Sequence, residues 1–277
     1  MVSRVRRARA GVSMLVLAVA SAATLAAQQP PAGAGRGEAP PTPRAAAPFD
    51  MTGYWVSVVT EDWQWRMLTP PKGDFVGVPL NAEGRRVGGT WDLAQDKASG
   101  NECRAFGVAG VMRRPGRLNI SWQDDTTLKI ETSAGNQTRM LRFGPPAAST
   151  GEPTWQGVSV AEWRKQPQVR GPFTGPPRGG GSVAGGNLKV VTTKMRSGYL
   201  RPNGLPYSED AIVTEYFNRY GGPGNLEWLT VTTIVEDSKY LDLPFITSTE
   251  FKKEPDGSKF SATPCRIDPP RVVQVVP

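Results

Sequence analysis

The chain has 277 residues, enough for one large domain or two small ones. Its 33 basic and 25 acidic residues give a formal charge of +8, which falls to a mild +4 once the four arginines of the first 27 residues are set aside; with no basic stripe between aromatics, no nucleic-acid partner is expected. There is no histidine, which excludes Ser-His and Cys-His nucleophilic catalysis and removes the commonest zinc ligand; neither a metal site nor a cofactor is expected.

The first 27 residues read as a secretory signal peptide. Arg4, Arg6, Arg7 and Arg9 precede the apolar run "GVSMLVLAVASAATLAA", and its small-residue end suits cleavage before Gln28. Loss of those four arginines would leave 29 basic against 25 acidic residues. The expected location is periplasmic or secreted, with no stable membrane span after cleavage. Residues 28–48, "QQPPAGAGRGEAPPTPRAAAP", are too poor in large apolar groups to repay ordering, and read as a disordered tether. Residues 49–277 are expected to form a single β domain.

That domain opens on a strand, "YWVSVVT", followed by "EDWQWR" at 61–66. Continued alternation would place Glu61, Trp63 and Trp65 on one face and Asp62 and Arg66 on the other. Trp63 is then expected in the core and Trp65 at a pocket rim. One helix is predicted from about 81 to 97, capped by Asn81, from the spacing of Leu80, Val87, Trp91, Ala94 and Ala98. "RLNISWQ", "TLKIET" and "QTRMLRF", with turn residues between them, predict a three-strand meander. "TWQGVSVAEW", "NLKVVTTKM", "AIVTEYFNRY", "LEWLTVTTIVED" and "FITSTEFKKE" bring the count to nine strands. Between the first two of these lies a Gly/Pro-rich insert, 166–186, with seven glycines and four prolines, read as a flexible loop. The fold expected is all-β: an antiparallel up-and-down barrel or strongly curled sheet of about eight to nine strands with one short helix, the alternative being a β-sandwich. Cys103 and Cys265 are the only cysteines, and export favours their pairing.

Segments such as "MTGYWVSVVTEDWQWRMLTPP", "NECRAFGVAGVMRRPGRLNISWQDD", "GYLRPNGLPYSEDAIVTEYFNRY" and "IVEDSKYLDLPFITSTEFKKEPDGSKF" resemble a family of uncharacterised exported bacterial proteins. The resemblance implies export and relatedness, and no chemistry. A wider circle of similar proteins often carries histidines at the positions of Val158, Tyr207 and Ile212, groups this chain lacks. In architecture alone, the barrel resembles lipocalins.

Three polar clusters are candidates for a site. The first is Glu61, Asp62 and Arg66 among Trp63 and Trp65. The second is the long turn "GYLRPNGLPYSED", with Tyr199, Arg201, Tyr207, Glu209 and Asp210; the third, Glu236-Asp237, reads as a surface turn. Glu61, Trp63, Trp65, Tyr199, Arg201, Tyr207 and Glu209 are the candidate ligand-binding residues; no catalytic residue is assigned. The expected function is binding of a small apolar or aromatic molecule in the barrel. The rivals are a histidine-free isomerase or hydrolase working with Glu61, Glu209 or Tyr207, and an envelope interaction protein.

Overall fold

A computed structural model describes residues 40–145, 151–165 and 186–271. The described residues form eleven strands: β1 (Gly53–Val58), β2 (Arg117–Asp124), β3 (Thr127–Thr132), β4 (Gln137–Phe143), β5 (Val158–Lys165), β6 (Gly186–Thr193), β7 (Gly198–Arg201), β8 (Leu205–Tyr207), β9 (Ile212–Gly221), β10 (Glu227–Glu236) and β11 (Phe245–Glu254). Nine of them close into a barrel in the order β1-β11-β10-β9-β6-β5-β4-β3-β2, and β7 pairs with β8 in a separate hairpin. The barrel expectation holds and the sandwich does not apply. The expectation of a wholly antiparallel barrel is corrected: β4 and β5 run parallel, with Leu141 opposite Ser159 and Phe143 opposite Ala161. The reason is parity. A closed ring with an odd number of strands cannot alternate direction all the way round, so at least one junction must be parallel.

Period-two alternation sets the two faces of the wall. Trp55, Leu118, Ile120, Leu128 and Ile130 point inward with 0–3% of their surface exposed. Outward neighbours such as Asn119 and Lys129 are half-buried. Polar groups occur inside as well. Arg139 of β4 and Glu215 of β9 form a two-pronged ion pair across the lumen, with both side chains fully buried, and the Ser159 and Thr192 hydroxyls bond each other at 2.7 Å. Such a pair is tolerated because each partner answers the other's charge.

The two ends are closed differently. At the end where β1 finishes, residues 59–116 fold over the opening as a cap. The cap carries α1 (Trp63–Arg66), α2 (Ala82–Gly88), α3 (Leu93–Ala98), a single-turn helix at Glu102–Phe106 and α4 (Val108–Val111). α4 is made of small apolar residues and is buried throughout; Val111 joins the barrel core, and Val108 and Ala109 pack with Leu205, Tyr207 and Val213. Cys103 bonds Cys265, with a Cα–Cα distance of 5.1 Å across 162 residues of sequence. The disulfide therefore ties the cap to the C-terminal tail. At the other end Phe49, Trp122, Phe143 and Trp163 form an aromatic cluster, with neighbouring ring centroids 5.4–5.7 Å apart.

Several local expectations are corrected. The single helix over 81–97 is two helices. Asn81 caps α2 through the Gly84 N–H at 2.8 Å, as expected, but α2 ends at Gly88, and Asp92, in an extended conformation, caps a new helix, α3. "EDWQWR" is not a strand end: Asp62 takes φ +51°, and Trp63–Arg66 is one helical turn. Residues 41–48, part of the stretch assigned by composition to a tether, run along the aromatic end, where Trp163 Nε1 donates to Pro43 O at 2.8 Å. Residues 1–27 and, but for Gly186, the insert 166–186 lie outside the described residues, as do residues 28–39. No helix among the described residues is long and apolar enough to cross a membrane.

Candidate functional site

The cap and the β7–β8 hairpin enclose a polar crevice of about 200 Å³ outside the barrel wall. α3 supplies Asp96, the turn after it supplies Arg104, and the hairpin supplies Tyr199 and Tyr207. Asp96 is the hub. It accepts from Trp91 Nε1 at 3.1 Å and from the Tyr199 hydroxyl at 3.1 Å, and Arg104 stands 3.7 Å away. Arg104 also donates to the Tyr199 oxygen at 3.0 Å and lies over the Tyr199 ring at 4.7 Å. Arg104 follows Cys103 directly, so the disulfide holds in place the turn that presents it. Trp91 reaches Asp96 because it sits in the break between α2 and α3. The tip of the hairpin turns at Gly204 with φ +82°, where any side chain would overlap the Trp91 ring.

Tyr207 is fully buried, and its hydroxyl has no hydrogen-bond partner among the described residues. The oxygen lies between Gly107 and Gly198; a methyl group on either would collide with it. Burial pushes the Tyr207 phenol well above its ordinary range, against an opposing pull from Arg104. Burial likewise raises Tyr199; Arg104 opposes that shift and Asp96 adds to it. Both phenols therefore keep their protons at physiological pH. They serve as hydrogen-bond donors, and a raised phenol is a poor match to the requirements of a general base.

Two of the residues singled out from sequence, Tyr199 and Tyr207, meet in this crevice. Trp65 and Arg201 meet elsewhere in the cap. The Arg201 guanidinium lies 4.8 Å over the Trp65 ring, and Trp65 Nε1 donates to Asp74 at 3.0 Å. Glu61 is taken up by Arg66 at 2.6 Å and by the Thr60 hydroxyl at 2.6 Å, so it acts as an arginine partner beside that pair. Trp63 corrects the core expectation: it is 52% exposed, because the helical turn rotates it away from Trp65. Glu209 and Asp210 are exposed after β8 and line neither site.

Sequence reasoning missed Trp91, Asp96 and Arg104. Asp96 sat inside a segment read as one long helix. Arg104 had one legible signal, its place beside a cysteine expected to bridge.

The fold and the crevice define a closed, mixed nine-stranded β-barrel with a built-up polar cap. A scan of the sequence against protein-family models finds no match, and neither does a search of curated proteins.

Proposed function

We propose that this is an exported binding protein that holds a small, hydroxyl-bearing molecule in the crevice between the cap and the β7–β8 hairpin. The observation that carries the proposal is the set of fixed polar groups on the crevice wall: Asp96, Arg104 and Tyr199 hold one another in a single cluster, with Trp91, Tyr207 and Tyr240 also lining the space. Fixed donors and acceptors in a small pocket beside aromatic residues suit a small polyol or sugar. At about 200 Å³ the crevice is smaller than drug-sized pockets, which run to roughly 300–1,000 Å³, so the ligand is small.

The sequence alone favours a ligand inside the barrel. The packing of the lumen around Arg139 and Glu215 makes the crevice the better-supported place. Binding is favoured over catalysis because the buried tyrosines are held protonated and no histidine is available. Export, and kinship with the exported bacterial family, belong to the same proposal. The basic-then-apolar leader supports export, and so does the Cys103–Cys265 bond, which suits an oxidising compartment.

Native mass spectrometry of protein purified from its source, followed by calorimetry with a panel of sugars and polyols, tests the reading. Arg104→Gln is expected to weaken binding about tenfold or more, the worth of one hydrogen bond to a charged group. No retained ligand and no heat across the panel, or unchanged affinity in the variant, would overturn it.

A further inference from the structure

The C-terminal tail crosses the cap as a strap. Residues 261–271 have neither helix nor strand, and most of them are exposed. The strap is held by Thr263, whose N–H and hydroxyl both donate to Ser133 O, by the Cys103–Cys265 bond, and by the Arg271 N–H, which donates to Thr69 O at 2.9 Å. Ile267 is its buried residue, and it packs in a cluster with Trp91, Phe106 and Tyr199. Trp91 and Tyr199 also line the crevice, so the strap backs part of the crevice wall. The bridge itself is not sealed off: Cys103 and Cys265 are both half-buried. Gln137 stands beside it, with Nε2 3.5 Å from Cys265 Sγ and 3.9 Å from Cys103 Sγ. Gln156 Nε2 donates to Gln137 Oε1 at 3.0 Å, which turns the Gln137 NH2 group toward the sulfurs. A hydrogen-bond donor beside a sulfur favours its thiolate, the form in which a sulfur leaves during thiol–disulfide exchange.

We propose that the Cys103–Cys265 bridge is a redox latch on the crevice wall, opened by a dithiol reductant, and that opening it lowers the affinity of the crevice. The effect on affinity rests on the crevice being a binding site; the latch does not. A thiolate of the reductant attacks Cys103 Sγ. The S–S bond breaks, and its electron pair leaves on Cys265 Sγ, the sulfur nearer the Gln137 amide. The second thiolate of the reductant then attacks the reductant's own sulfur in the mixed disulfide and releases Cys103. The reductant ends as a disulfide, having given up two electrons, and the two cysteines take up protons and end as thiols. Without the bond, the strap keeps its contacts at Thr263, Ile267 and Arg271. Arg104, next to Cys103, loses the covalent brace of its turn, and Ile267 is less firmly held behind Trp91 and Tyr199. The donor set of the crevice is thereby loosened from two sides.

Reduction of the native full chain, followed by alkylation and peptide mass mapping, is the test. Dithiothreitol is expected to open the bridge without denaturant and to leave a protein that still melts cooperatively. With glutathione as a monothiol probe, the trapped intermediate should carry glutathione on Cys103 and the alkyl group on Cys265. Gln137→Leu should slow the opening several-fold. In the reduced protein, amide exchange should quicken at Arg104 and Ile267, and binding of whichever sugar or polyol the oxidised protein takes should weaken about fivefold or more. A bridge that resists dithiothreitol until the chain is denatured, glutathione trapped on Cys265, or unchanged exchange at Arg104 and Ile267 after reduction would each overturn the latch. Equal affinity in the two redox states would overturn its effect on binding. If no sugar or polyol binds the oxidised protein, the reading of the crevice fails, while trapping and exchange still decide the latch.

Discussion

The two ends of the barrel solve the same problem with opposite chemistry. One end is closed by aromatic rings: Phe49, Trp122, Phe143 and Trp163 cluster there, and residues 41–50 are held beside them by Trp163 Nε1 to Pro43 O and by Arg44, whose N–H donates to Asp125 O at 3.1 Å and whose guanidinium stands 3.7 Å from the Asp125 carboxylate. The other is closed by some sixty residues of cap in which arginines and acids are buried beside aromatics, and a disulfide pins the result. Apolar closure needs no partner for each group, and so it can be built from few residues. Polar closure needs an acceptor for every donor. Tyr207 of β8, Arg201 of β7 and Arg114 of the cap each keep a buried polar atom for which that demand is not met among the described residues.

The largest expected effect comes from the layer between the ends. Arg139→Ala leaves Glu215 buried and uncompensated, and should cost about 3–5 kcal/mol in a denaturant melt. Replacing both partners together, by Arg139→Met with Glu215→Leu, should recover most of that loss. If the single change proves mild, the lumen admits water and is less tightly filled than its burial indicates.

Removing the disulfide, with Cys103→Ser and Cys265→Ser, should break the symmetry between the ends. Chain entropy for so long a loop gives up to roughly 5 kcal/mol, and native bridges typically contribute about 2–5 kcal/mol. Hydrogen exchange should quicken in the turn at Glu102–Phe106 and around Arg104, while amides near Trp122 and Phe143 keep their protection. Equal loss of protection at both ends would mean that cap and barrel open as one unit.

The smallest effect concerns the aromatic end. Trp163→Phe keeps one ring in the cluster but removes the bond to Pro43 O and part of the indole's packing, so a melt should register at least the roughly 0.5–1.5 kcal/mol of the hydrogen bond. Proteolysis should then cut residues 41–48 faster and leave the cap untouched. An unchanged cutting rate would show that Phe49 and the Arg44 contacts to Asp125, and not this hydrogen bond, hold the segment down.

Much of the wall was legible in the sequence, and little of the site. "RLNISWQ" and "TLKIET" show their inward faces by alternation, because a strand's period is set by backbone geometry alone. Asn81 announced a helix start, because a cap is a local hydrogen bond. "EDWQWR" misled for a related reason: in six residues, alternation cannot be told from one helical turn, and the left-handed φ at Asp62 that breaks the strand leaves no mark on composition. Of the residues picked for a ligand, Tyr199 and Tyr207 reached the crevice because the hairpin that carries them is a local unit.

The sequence by itself determined the nine strands of the barrel, their inward and outward faces, and the two cysteines that had only each other to bond, whereas the β7–β8 hairpin read only as a long turn. Those properties depend on neighbours a few residues away or on simple counting. Tertiary structure alone decided that β4 and β5 run parallel, that Arg139 meets Glu215 across 76 residues, and that Asp96 meets Tyr199 across 103. Closing a barrel selects which distant strands become neighbours. A polar side chain acquires its partner only after that selection, so the chemistry of the lumen and the cap could not be read before the ring was closed.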